Sequence, residues 1–305
     1  MNSNNINKKH YSLVVIFSLF IVIMASLVII SIYHRNSENS SNLQYDFGGI
    51  ENINPLVLEN SNNVIDKTNI NIELTNEIKR VYNVDVIYGE GTEYLSKSVE
   101  AEAIYDQTEI NSILLQLIEC LNKYPSNIFK EIKLKGYDLE ICIVDFFKND
   151  NIALATRDSN NNFKIYLSDV EKDEKVIKSI HHEMYHILEY FMKLEFDLDE
   201  IYKDWNSFNP SDFDYQTNIS LLNGKYVYDL DKDENAYFVS VYSKSADKED
   251  RAEVFADTMA VESIPRYYKY DNSAIRGKMK LISDALNQSF YSVNYGTSIY
   301  WTRYF

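Results

Sequence analysis

The chain has 305 residues, with 46 acidic against 30 basic side chains and a net charge of −16. Lys8, Lys9 and Arg35 are the only charged residues of the first 35, so the balance beyond them is about −19, which argues against nucleic acid or an anionic lipid surface as a partner. With eight Gly and four Pro in the whole chain, turns must rely on Asn and Asp, which tolerate left-handed backbone.

The first predicted element is Tyr11 to Tyr33, 23 uncharged residues dominated by Val, Ile, Leu, Phe and Met. That length spans a bilayer with some tilt. It exceeds the apolar region of a cleaved signal and lacks a small-x-small ending, so it reads as an uncleaved anchor, with release of the rest as the alternative. Two lysines precede it and one arginine follows, which places residues 1–10 in the cytoplasm and everything after the anchor outside. Residues 34–71 are rich in Asn and Ser and read as a stalk. The remaining 72–305 are enough for one domain with a large core.

Within that domain, Thr108 to Tyr124 carries Ile110, Ile113, Leu114, Leu117, Ile118 and Leu121 at helical spacing and stops before Pro125. Leu139 to Val144 and Phe163 to Leu167 read as strands, the second entered through a turn over Asp158 to Asn162. Cys120 and Cys142 sit in apolar segments and read as small buried hydrophobes sooner than as a disulfide, and their spacing is not that of a metal cluster.

Glu174 to Met192 is a helix with Val176, Ile177, Ile180, Met184, Ile187, Leu188 and Phe191 on one stripe. Beside that stripe lies His182-Glu183-Met184-Tyr185-His186, the HExxH arrangement of a zinc peptidase. Residues four apart on a helix stack one above the other, so both imidazoles can reach one Zn²⁺. Glu183, about 100° round the helix from His182, is placed to take a proton from water at that metal. His181 points elsewhere and reads as a neighbour. In a zincin-type fold the strand ahead of this helix, Phe163 to Leu167, is expected to form the sheet edge along which a peptide lies.

Further on, Lys225 to Tyr228 and Tyr237 to Tyr242 read as paired strands around an acidic turn. That turn carries Asp229, Asp231 and Asp233 at the spacing of a calcium loop, but it lacks the following Gly and has Ser240 where the closing Glu belongs, so it reads as a solvated turn. Asp247 to Val261 and Ser273 to Phe290 close the chain as helices. No internal repeat is present.

A catalytic zinc needs three protein ligands, and no histidine follows His186, so a carboxylate must supply the third. Glu249 and Glu253, four apart on a predicted helix, allow one to bind metal while the other hydrogen-bonds a ligand histidine. Asp257 is a further candidate on the same helix.

Tyr242, Glu249 and Glu253, with Ala252 and Phe255, stand in the register of one family. Here the chain resembles the anthrax lethal factor-like metallopeptidases, which include the Pro-Pro endopeptidases, within the gluzincin clan. The resemblance implies Glu249 as third ligand, Glu253 as partner of a ligand histidine, Tyr242 as donor to the developing oxyanion and Glu183 as base. It covers about residues 105–262. The 62 residues between His186 and Glu249 exceed the family's compact members, and Leu194 to Asn235, with Trp205, Asn209 and Pro210, is the expected insert.

The sequence thus predicts an α+β zincin-like domain with a mixed sheet, an active-site helix and a helical carboxy-terminal lobe, behind one transmembrane helix. The predicted function is an outward-facing bacterial zinc endopeptidase that hydrolyses peptide bonds with zinc-activated water and takes proteins or peptides as substrates. The rival readings are an inactive surface-binding module of the same fold, and a membrane sensor with a coincidental HExxH.

Overall fold

The structure is a computed structural model that describes residues 67–148, 151–160, 162–168, 174–218, 226, 236–261, 265, 267, 271–294 and 299–304. The predicted anchor at 11–33, stalk residues 34–66 and the acidic turn at 229–233 lie outside the described residues. Among the described residues no helix is long and apolar enough to cross a membrane.

The first element is helix α1, Lys67–Tyr82, which begins inside the stretch read as stalk. It buries Leu74, Ile78 and Tyr82 at four-residue spacing, and Asn71 is fully buried with its amide donating to the Gln107 carbonyl at 2.9 Å. Strand β1 (Asp85–Ile87), helix α2 (Glu93–Ser98) and strand β2 (Ala101–Ala103) follow. Helix α3 (Gln107–Leu121) is capped by Asp106, which accepts from the backbone N–H groups of Thr108 and Glu109. Helix α4 (Ile128–Leu134) leads to strands β3 (Leu139–Phe147), β4 (Ala153–Arg157) and β5 (Phe163–Ser168).

These strands form one mixed sheet in the order β1-β3-β5-β4, with β2 pairing β3 as well. β1 and β5 run parallel to β3, while β2 and β4 are antiparallel to their partners. Both faces of β3 are covered: Ile141 and Ile143 are fully buried, and Cys142 and Val144 join Ala101, Phe147 and Tyr166 in a second cluster. That explains why its apolar residues run nearly without a break. Cys120 and Cys142 are buried free thiols, and burial pushes both up to about 12, so they are inert.

β5 is not the sheet edge; it lies between β3 and β4, and the edge beside it is β4, the first arm of a hairpin turned by Asp158, whose Oδ1 accepts from the N–H groups of Asn160 and Asn162. The ladder bonds Ser168 N–H to Ile152 C=O and Asp158 N–H to Asn162 C=O, so even-numbered β4 residues face β5. Ala153, Ala155 and Arg157 therefore direct their backbone groups to the outer edge.

Helix α5, Glu174–Glu195, packs on β4 and β5 through Val176, Ile180, Met184, Ile187, Leu188 and Phe191, all buried. Helix α6 (Leu198–Ile201) and a 3₁₀ turn, Trp205–Phe208, open the predicted insert. A second 3₁₀ turn, Tyr242–Lys244, leads into α7 (Asp247–Ala260), and α8 (Ser273–Ser289), α9 (Tyr291–Asn294) and a final 3₁₀ segment complete the helical lobe.

The strand predicted at Tyr237 to Tyr242 is not formed. The carbonyls of Ala236 and Tyr237 are taken by the Asn272 amide at 2.6 Å and the Lys278 ammonium at 2.8 Å, so side chains of the α8 region hold this backbone instead of a ladder. Of its predicted partner only Tyr226 is described, and its φ of 63° is left-handed, not extended.

Gly277 in α8 is required by close approach, because a Cβ there would enter the Phe208 ring. Gly277→Ala is expected to cost about 1–3 kcal/mol of stability, the scale of overpacking, read as a lower urea midpoint at unchanged slope.

Candidate metal centre

Two antiparallel helices build the site, because each presents polar side chains at four-residue spacing toward the other. On α5 these are Lys178, His182 and His186; on α7 they are Glu249, Glu253 and Asp257. His182 Nε2 and His186 Nε2 lie 3.1 Å apart, and Glu249 Oε2 lies 3.2 Å from each. His182 and Glu249 are buried, and His186 is nearly so.

The hydrogen-bond roles test whether this donor set fits a cation. His182 Nδ1 is 3.0 Å from Glu253 Oε1, and a carboxylate only accepts, so Nδ1 carries the proton. A His182 that carries only this proton turns the lone pair of Nε2 toward the Glu249 oxygen and the His186 nitrogen. Acceptors packed so closely repel unless a positive charge, a metal ion or a second proton, lies among them. A tetrahedral ion with bonds of about 2.0–2.1 Å holds its ligand atoms roughly 3.3 Å apart, close to the triangle observed. Two nitrogens and a carboxylate oxygen are also the donor chemistry that Zn²⁺ takes in catalytic sites.

The same groups also favour a proton on His182, a positive charge in the same place. Burial works to lower the His182 pKa, but hydrogen bonds to Glu249 and Glu253 outweigh it and carry the imidazole to about 9. Burial works to raise the Glu249 carboxyl, yet hydrogen bonds from His182 and His186 hold it far below the usual carboxylate range. Glu253, also opposed by burial, is brought to about 2 by His182 and Lys178. The cluster is built to surround a positive charge.

Glu183 sits beside the triangle, its Oε2 accepting the outward N–H of Ala155 at 2.6 Å. The edge strand thus holds the carboxylate in place. Tyr242 is half exposed, with its ring centroid 6.0 Å from that of His182. Burial first, then the charges of Glu249 and Glu183, push its phenol up to about 12, so it stays protonated and able to donate. Tyr242, His182, Glu183 and Glu253 line a cleft of about 440 Å³ together with Ile152, Ala153, Leu154, Lys178 and Ser179.

All six residues singled out from sequence therefore meet in one place. The other carboxylate candidates do not converge on the triangle: Glu253 binds the far nitrogen of His182, and Asp257 lies 3.8 Å from Lys178. His181 is fully buried on the other side of α5, against the Tyr124 hydroxyl at 2.8 Å.

Sequence reading missed the support behind α7. The ammonium of Lys278 and the carboxylate of Asp250, both fully buried, pair at 2.7 Å, and Tyr215 donates to the same carboxylate oxygen at 2.8 Å. Trp205 and Asn209 of the insert each donate to the Tyr215 oxygen at 3.0 Å. Arg251 pairs with Glu189 of α5 and with Asp247 at 2.9 Å. The insert thus braces the helix that carries Glu249. A lone Lys in an amphipathic helix reads as a solvated residue, so Lys278 gave no signal.

No profile of a known protein family matches the chain, and no curated protein matches it. Among solved structures it is similar to one described as a "putative zinc-binding metallo-peptidase" from Bacteroides caccae, at 15% identity and a TM-score of 0.47, over 73% of this chain and 86% of that one. A likeness so distant carries no chemistry across.

Proposed function

We propose that the chain is a zinc-dependent endopeptidase of zincin-like fold that acts on proteins or peptides, with residues 11–33 as its membrane anchor and the catalytic domain outside the cell. The convergence of His182, His186 and Glu249 from two helices carries this reading. Chance placement of an HExxH on a helix does not also bring a carboxylate from 63 residues further on to equal distance from both imidazoles. The anchor rests on the uncharged run of Tyr11 to Tyr33, and the lethal factor-like subtype on the register of Tyr242, Glu249 and Glu253.

Zn²⁺ bound there supplies a Lewis acid that polarises a carbonyl and makes water more acidic. Glu183, held by the Ala155 N–H, accepts the proton from the attacking water and passes it to the leaving amine. Tyr242, protonated, donates to the oxygen on which negative charge develops. The outward N–H and C=O groups of Ala153 and Arg157 offer a peptide main chain an edge to pair with, which sets its direction past Glu183.

Cleavage of a peptide library by the purified chain, with and without a chelator, tests the proposal. Internal cleavage that the chelator abolishes is expected. Bound zinc without cleavage would make the protein a binding module, and neither would reduce the motif to coincidence. Tyr242→Phe is expected to lower turnover by roughly 10²–10³ with zinc content unchanged, the scale for one lost oxyanion donor. Unchanged turnover would remove Tyr242 from the reaction.

A further inference from the structure

Lys178 precedes His182 by one helical turn and has no part in the scheme above. Its Nζ lies 3.0 Å from Glu253 Oε2 and 3.8 Å from Asp257 Oδ1, and its side chain is 25% exposed. The opposite oxygen of the same Glu253 carboxylate accepts from His182 Nδ1 at 3.0 Å. We infer that Lys178 is a positioning residue of the metal centre, which acts through Glu253 to fix the imidazole of His182. This inference rests on the reading that His182, His186 and Glu249 hold zinc.

Lys178, His182 and His186 stand four apart on α5, and Glu249, Glu253 and Asp257 stand four apart on α7. Because the helices are antiparallel, the contacts run as a ladder: His186 to Glu249, His182 to Glu249 and Glu253, Lys178 to Glu253 and Asp257. Every rung joins a nitrogen on α5 to a carboxylate on α7. Lys178 is the closing rung.

Without it, one oxygen of Glu253 loses its cation, and Glu253 and Asp257 are left as like charges four apart on one helix face, which repel. The carboxylate is then free to turn, and the bond that orients His182 and sets its tautomer is weakened. Beside the ladder the signs are reversed: Glu189 of α5 pairs with Arg251, which lies between Glu249 and Glu253 on α7, so a slip of one turn would set Glu189 against Asp247 or Arg251 against Lys193. The ladder therefore also fixes the register of the two helices that carry the ligands.

Lys178 also lines the cleft, and a side chain that touched only substrate would leave metal affinity alone. Zinc affinity without substrate separates the two roles, measured by competition with a chromophoric chelator on the full chain. Lys178→Met and Lys178→Gln are each expected to weaken zinc binding about tenfold, at the low end of the range for outer partners of a ligand, and Lys178→Arg to stay within about threefold of wild type. Glu253→Ala combined with Lys178→Met should bind no more than about threefold more weakly than Glu253→Ala alone, since the lysine acts through that carboxylate. Zinc affinity unchanged by Met and Gln, or effects that multiply in the double variant, would overturn the inference while the metal reading stands. A wild-type chain that binds no zinc would overturn both.

Discussion

Glu183→Gln is expected to abolish peptide cleavage, by about 10³-fold or more, while zinc stays bound at wild-type affinity. Gln has the volume and reach of Glu, and Glu183 is outside the donor triangle, so the helix and the ligands are undisturbed. What is lost is the basic oxygen. The substituted amide can still accept the Ala155 N–H through its carbonyl, which keeps the side chain where Glu183 stands, but it cannot take a proton from water at neutral pH. Steady-state turnover together with metal content reads both halves of the expectation. A variant that cleaves at more than about a tenth of the wild-type rate would transfer the role of base to another group.

Glu249→Ala should act on the metal itself. It leaves two imidazoles where three donors are needed, so zinc affinity is expected to fall by more than the roughly 10–100-fold typical of a lost outer partner. Glu253→Ala supplies the contrast, because it removes only the acceptor behind His182 and should fall within that range. A larger loss from Glu253→Ala than from Glu249→Ala would shift the ligand by one helical turn.

What could be read from the sequence follows from which signals are local. The HExxH helix was legible because its apolar stripe and its histidines share one period, and burial follows that stripe along α5. The third ligand needed an elimination, since no histidine remains after His186, and a register of Tyr and Glu. The edge strand was not legible. Ala153–Arg157 is five residues with no apolar alternation, and it is a strand because β5 supplies its partner.

The reverse error occurred at Tyr237 to Tyr242, where aromatic and β-branched residues suggested a strand and Asn272 and Lys278 claim the carbonyls. Helix α1 was hidden by Asn-rich composition, although Leu74, Ile78 and Tyr82 carried its period. The charged residues that organise the ligand helices, Lys178, Asp250, Arg251 and Lys278, gave no signal at all. Single charges in amphipathic helices look solvated until the facing helix is known.

Metal content of the purified full chain, set beside that of Glu249→Ala handled identically, tests the central claim most directly. One zinc per chain in the wild type and far less in the variant is the expected result. A wild-type chain with no stoichiometric zinc, or a variant that retains it equally, would contradict the assignment of His182, His186 and Glu249 as a catalytic metal centre.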